Sequence, residues 1–297
     1  MRNKLSVLAL LVAVLALLAV TFAVPKNQKP EVVGSVYARV MEARTLRCAY
    51  QVWPPFLAKD PNSGQLSGVY YDLLQKIGEG LSLKIDWVEE VGSANYFEGF
   101  RTGRYDAGCS AITPSPERAL VSDFSIPIGY APFYLYAREG DHRFDDNYQK
   151  ANADDVTIMT SDGTFADSIA NEVFPKAKTV SLPNLTNGAD MLEGVAAGKA
   201  DVTIMDVTLA SDFAKNNPGK IRRVVGPPVR FPSLSIALPP GEEKLRRMID
   251  ITLVHLMDTG FLDKILSAHG LDDERVLRPA LPYQRPNSRE TTEGGQP

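Results

Sequence analysis

The sequence predicts an α/β protein built as two lobes, with the second inserted into the first. Three observations predict it. Short apolar runs alternate with helix-period stretches between residues 46 and 112, and the same rhythm restarts at residue 156 and runs to 205. Two extended segments, 131–137 and 234–239, flank that second stretch, as a pair of crossing strands around an inserted lobe would. The architecture expected is two mainly parallel sheets flanked by helices and joined by a two-strand hinge.

The first unit opens with a strand over residues 46–52, and 69–83 (VYYDLLQKIGEGLSL) carry apolar residues at helical spacing before ending in Gly and Ser. Residues 84–88 (KIDWV) alternate like a strand, 96–102 form a short helix closed by Gly103, and 106–112 (DAGCSAI) form another strand. The second unit opens with the strand 156–160 (VTIMT), then Gly163 and a helix over 165–174. A strand begins at 179–181, a helix spans 189–197 and stops at Gly198, and 201–205 (DVTIM) is a strand. Helices over 242–255 and 259–269 return to the first lobe. Lobe 1 is therefore assigned 44–136 with 234–277, and lobe 2 is assigned 137–233.

The chain has 297 residues, 44% of them hydrophobic and 23% charged, enough apolar material for two modest cores at about 150 residues each. Net charge is −4 and no run of Lys or Arg makes a basic stripe, so nucleic acid is not an expected partner. Residues 1–24 differ from the rest. Arg2 and Lys4 precede an uncharged apolar run over 5–24, the pattern of an export signal. Its length also suffices to cross a bilayer, so both a cleaved signal peptide and an uncleaved anchor in the inner membrane stay open. Either places the rest of the chain outside the cytoplasm, in the periplasm. Residues 25–43 read as a linker, and 278–297, without apolar periodicity, as a disordered tail. The two cysteines, Cys48 and Cys109, are too few for a disulfide scaffold or a zinc site. Export permits them to pair. The plainer reading, two buried free thiols in strands, is preferred.

The motifs fall into an ordered series. Trp53-Pro54-Pro55-Phe56 comes after the first strand, then Gly64 and Gly68-Val69-Tyr70-Tyr71-Asp72-Leu73, then Gly103-Arg104-Tyr105-Asp106-Ala107. Thr113-Pro114-Ser115-Pro116-Glu117-Arg118 precedes Asp123-Phe124-Ser125 and Pro127. The second unit offers Asp162-Gly163-Thr164, Gly198-Lys199-Ala200-Asp201 and Met205-Asp206, and Gly260-Phe261-Leu262-Asp263-Lys264-Ile265 closes the series. Each motif is weak by itself. In this order, over residues 45–270, the chain resembles the periplasmic amino-acid-binding proteins of ABC transporters (bacterial extracellular solute-binding proteins, family 3), with the two-lobed type II periplasmic binding fold.

That resemblance implies a set of ligand contacts. Arg118 occupies the position where the family binds an α-carboxylate, and its planar fork suits bidentate pairing with one. The plain alternative is a solvated arginine paired with Glu117. Asp206 ends the apolar run 202–205, at the C-terminal edge of a strand, where open α/β sheets bind ligands. The family uses this position for the α-amino group; the plain alternative is a helix N-cap. Trp53 either packs on the ligand or serves as a core aromatic. Ser110 and Thr113 can offer hydroxyls, and Thr164 opens a helix whose first N–H groups favour an anion, besides capping it. Ala111 and Phe165 stand where many members carry hydroxyl residues, and Tyr96 is a candidate second aromatic.

The function implied is an extracytoplasmic solute-binding protein, not an enzyme. It closes two lobes around a small polar ligand, expected to be an amino acid, and delivers it to an ABC transporter permease. No cofactor and no metal is expected: no phosphate loop, nucleophile elbow or metal-ligand cluster occurs, and His142, His255 and His269 are scattered. Two alternatives arise from the same residues. One is a membrane-tethered sensor or accessory module of another periplasmic system. The other is a dehydratase-type enzyme on the same fold.

Overall fold

The computed structural model describes residues 34–271 and 274–279. The apolar run at 5–24 and residues 280–297 lie outside the described residues. The chain separates after Ser35 into two units, and the second holds both large sheets.

The first strand of that unit, β1 (Thr45–Tyr50), lies between β4 (Lys84–Glu90) and β5 (Ala107–Ile112), parallel to both. Between β1 and β4 come a two-stranded hairpin, β2 (Ala58–Lys59) and β3 (Leu66–Ser67), and a helix. This helix, Val69–Leu81, buries Val69, Tyr70, Leu73, Leu74 and Ile77 against the sheet, a stripe at helical spacing. Each fully buried side chain of this kind contributes about 2 kcal/mol before the entropy of ordering it is subtracted. The helix stops where Ser82 turns into the left-handed region, its N–H bonded to the Glu79 carbonyl.

The sheet is completed by strands of opposite direction. The returning strand Ser233–Leu238 pairs antiparallel with β5 and, on its far side, with β6 (Asp123–Phe124) and β7 (Gly129–Tyr130). The second sheet repeats the plan. Its strands β9 (Thr157–Ser161), β10 (Lys178–Leu182) and β11 (Val202–Asp206) form a parallel core. The outgoing strand β8 (Phe133–Arg138) then pairs antiparallel with β11 and with β12 (Ile221–Arg223). All six residues of β8 belong to this sheet, so the boundary expected after residue 136 falls inside a strand. Between the sheets the two crossing segments run side by side: the Ala131 N–H meets the Pro232 carbonyl at 3.1 Å and the Phe133 N–H meets the Arg230 carbonyl at 2.9 Å. The helices Glu243–Asp258 and Phe261–Ala268 come after the return strand and pack against Val69–Leu81.

Two further sequence expectations are corrected. Residues 25–43 are not linker throughout, because Val36–Ala43 is a helix with Val36 and Val40 buried. Its first N–H groups, on Val36 and Tyr37, donate to the Glu242 carboxylate at 2.7 and 3.1 Å, a charge suited to a helix N-terminus. The cysteines are buried strand residues as expected, but they are not free thiols: Cys48 and Cys109 form a disulfide. Strands β1 and β5 are parallel neighbours with Cys48 opposite Ala107, which brings the two cysteine Cα atoms to 5.4 Å.

Candidate functional site

Strand ends from both sheets face one another across the hinge, and a cavity of about 80 Å³ lies between them. Gln51 and Trp53 reach it from the end of β1, and Ser110–Thr113 from the end of β5. From the second sheet, Thr164 and Phe165 come after β9, and Met205 and Asp206 end β11. Phe133 and Leu234 line it from the crossing strands. A water needs roughly 10–15 Å³ of such space, so the cavity has room for several waters or one small solute. All six residues singled out in the sequence, Arg118, Asp206, Thr113, Ser110, Trp53 and Thr164, line this one cavity.

Arg118 is delivered by the short helix Pro116–Ala119, whose N-cap Ser115 accepts from the Arg118 N–H at 3.3 Å. The side chain turns inward. Its Nη1 donates to the Thr113 carbonyl at 2.7 Å, and its Nη2 crosses the cleft to the Gly163 carbonyl at 3.0 Å. The guanidinium lies 5.7 Å from the centre of the Phe97 ring. Burial pulls its pKa below the ordinary arginine value, against the opposing charge of Glu117. Glu117 itself accepts from the Ser115 hydroxyl, so the alternative of a surface arginine paired with Glu117 is not what forms. Two of the five N–H donors are committed to carbonyls, leaving three for another acceptor.

Asp206 is 1% exposed. It caps the helix Val207–Asn216, Oδ1 accepting from the Leu209 N–H at 2.9 Å, so the capping role weighed from sequence is real. Its Oδ2 accepts from the Trp53 indole N–H at 2.9 Å, a bond from one lobe to the other. Burial raises the Asp206 pKa above the ordinary carboxylate value, partly offset by the Leu209 and Trp53 donors. A carboxylate has about four acceptor sites, so capacity for further donors remains.

The lobes approach closely enough to require glycine. A Cβ on Gly163 would stand 2.6 Å from the Ala94 Cα, and one on Gly188 would stand 2.7 Å from the Trp53 ring. The Ala94 N–H also donates to Asn184 Oδ1 at 3.2 Å across the same gap.

The remaining candidates divide. Thr164 caps the helix Phe165–Val173 and donates its hydroxyl to the Ser161 carbonyl at 2.7 Å. The next N–H groups, on Phe165 and Ala166, belong to a first turn that has no intrahelical acceptors. Ser110 is tied into the scaffold: its Oγ accepts from the Gln51 N–H at 3.0 Å and meets the Tyr96 hydroxyl at 2.8 Å, which donates to the Ala49 carbonyl. Thr113 sits beside Arg118, which uses its carbonyl. Tyr96 lines the cavity, but its hydroxyl serves the strand ends. Phe97, its neighbour, provides the aromatic surface beneath Arg118, and the signal for it is only its adjacency to Tyr96. Gln51, Ser93 and Phe133 also line the cavity and belong to no motif of the sequence. His142 pairs with Asp145, His269 pairs with Asp72, and His255 lies on the helix Glu243–Asp258; none lines the cavity.

Known proteins share this fold. Residues 46–271 match the model of the bacterial extracellular solute-binding proteins, family 3. A probable amino-acid ABC transporter-binding protein of Haemophilus influenzae is 25% identical over 236 residues, spanning 78% of this chain and 87% of its own. An ancestral amino-acid-binding protein, described as a precursor of cyclohexadienyl dehydratase, superposes with a TM-score of 0.69 at 26% identity, over 79% of this chain and 99% of its own. An amino acid ABC transporter substrate-binding protein of Streptococcus pneumoniae, solved with L-arginine, shares the fold with a TM-score of 0.69 at 21% identity, over 78% and 97% of the two chains. With two lobes of the type II periplasmic binding fold closing on one polar-tipped cavity, this chain belongs to the bacterial extracellular solute-binding proteins, family 3.

Proposed function

We propose that the protein captures an α-amino acid outside the cytoplasm and hands it to an ABC transporter permease. One observation carries this reading: Arg118 from the first lobe and Asp206 from the second, opposite charges with no ionic partner among the described residues, line the same cavity. The ligand carboxylate takes the three spare N–H donors of Arg118, helped by the Thr113 hydroxyl and the first-turn N–H groups of Phe165 and Ala166. The ligand ammonium donates to Asp206, beside Trp53. Each lobe then holds one end of the zwitterion, so the ligand binds the closed state better than the open one and shifts the hinge equilibrium toward closure.

A non-catalytic role is supported by the family, whose members are solute binders, and by a lining whose only carboxylate among the described residues, Asp206, is engaged in capping a helix and bonding Trp53. The run over 5–24 provides the export signal in this reading, as a cleaved peptide or as a tether, and the periplasm is the compartment it implies. Thermal unfolding in the presence of the twenty amino acids tests the proposal. At least one raises the midpoint, and Arg118→Ala removes that shift, since losing one partner of a desolvated charge pair costs about 2–5 kcal/mol. No shift with any amino acid contradicts the ligand class.

A further inference from the structure

We infer that the captured amino acid carries a neutral, apolar side chain; the inference rests on the zwitterion reading of Arg118 and Asp206. Those two residues are the only charged ones among the described residues lining the cavity. If they hold the α-carboxylate and α-ammonium, no third charge remains to meet a basic or acidic side chain. A charged group desolvated without a counter-charge is strongly disfavoured.

Apart from the Thr113 hydroxyl, given above to the carboxylate, the neutral polar groups already serve partners in the wall. The Gln51 carboxamide and Ser93 hydroxyl bond each other at 2.8 and 3.0 Å. Tyr96 and Ser110 serve the ends of β1 and β5, and the Thr164 hydroxyl goes to the Ser161 carbonyl. A hydrogen-bonding ligand side chain would have to share groups already engaged within the wall, where a water would leave them all satisfied. What the wall presents besides these is apolar surface: Trp53, Phe133, Phe165 and Ala111. The aromatics do not form an open cage for a cation, because Phe133 and Phe165 meet edge to face at 5.7 Å and Phe97 is already covered by Arg118.

Calorimetric titration of the full chain with leucine, isoleucine, valine, methionine and phenylalanine, against arginine, lysine, aspartate, glutamate, glutamine and serine, tests this. At least one apolar amino acid binds about 100-fold or more tighter than every charged one and tighter than glutamine and serine. Arginine or lysine binding as tightly as the best apolar ligand overturns the inference and leaves the amino-acid reading standing. Glutamine or serine binding as tightly overturns it in the same way. Binding of none of them, with no thermal shift from the rest of the twenty, defeats the amino-acid reading itself and this inference with it.

Discussion

Asp106 in the first lobe and Asp206 in the second are each 1% exposed, and their surroundings differ in kind. Asp106 faces two arginines. Arg47 gives it a backbone N–H at 2.9 Å and side-chain donors at 3.2 and 2.8 Å, and Arg39 adds another from the helix Val36–Ala43. Burial pushes its pKa up, but the Arg47 and Arg39 hydrogen bonds outweigh it, and the carboxyl ends below its ordinary value. Asp206 accepts from neutral N–H donors, Leu209 and the Trp53 indole foremost, with no cation, and burial leaves its pKa raised. The mirror case is Arg118, held by two carbonyls where Arg47 has a carboxylate. Charges that build the scaffold are neutralised locally. Charges at the cavity meet only neutral partners among the described residues.

That difference can be broken from either side. The largest stability effect belongs to Asp106→Ala, which removes the carboxylate joining β1 to the helix Val36–Ala43. We expect a loss of about 2–3 kcal/mol in urea unfolding, the range for hydrogen bonds to charged groups, with ligand affinity per folded molecule unchanged. Because the Asp106 pKa is depressed on folding, its contribution is present above the unfolded value and lost as pH falls through the folded one. Wild-type stability should therefore drop at acid pH more steeply than that of the Asp106 variant.

Asp206 should behave in the opposite sense. Asp206→Ala loses a helix cap, worth about 1 kcal/mol of stability, and loses the ligand. Asp206→Asn keeps a capping side chain, so it should lose the ligand with little or no cost in stability at neutral pH. The sign comes from the raised pKa. Folding favours the protonated carboxyl, so that contribution is present below the unfolded pKa and lost as pH rises through the folded one. Asparagine removes the cost of burying that charge. Equal destabilisation by the Asn and Ala variants would make Asp206 a scaffold residue like Asp106.

The two lobes also differ in how much of them can be read from the chain. The strand–helix rhythm and the crossing segments are legible because apolar period and glycine stops are local. Arg118 and Asp206 are legible because they sit in motifs at strand ends. The helix Val36–Ala43 is not: it depends on Glu242 and Asp106, distant in sequence, and its two buried valines lie beside a polar, Pro-containing stretch. The disulfide is not either, since its cysteines are 61 residues apart and only the β1–β5 pairing unites them. Ser110 carries a hydroxyl at the right strand end, yet Tyr96 and Gln51 claim it, a commitment that only the packing reveals. The Trp53–Asp206 bond joins residues 153 apart and exists only when the lobes meet.

The central claim is that each lobe binds one end of a zwitterion. It is tested most directly by titrating the wild type, Arg118→Ala and Asp206→Asn with the preferred amino acid, its decarboxylated amine and its deaminated acid. Wild type should bind the intact amino acid at least about tenfold tighter than either analogue. Arg118→Ala should no longer distinguish the amino acid from the amine, and Asp206→Asn should no longer distinguish it from the acid. A wild type that binds either analogue as tightly as the amino acid, or variants that weaken all three ligands alike, would contradict the assignment of one charge to each lobe.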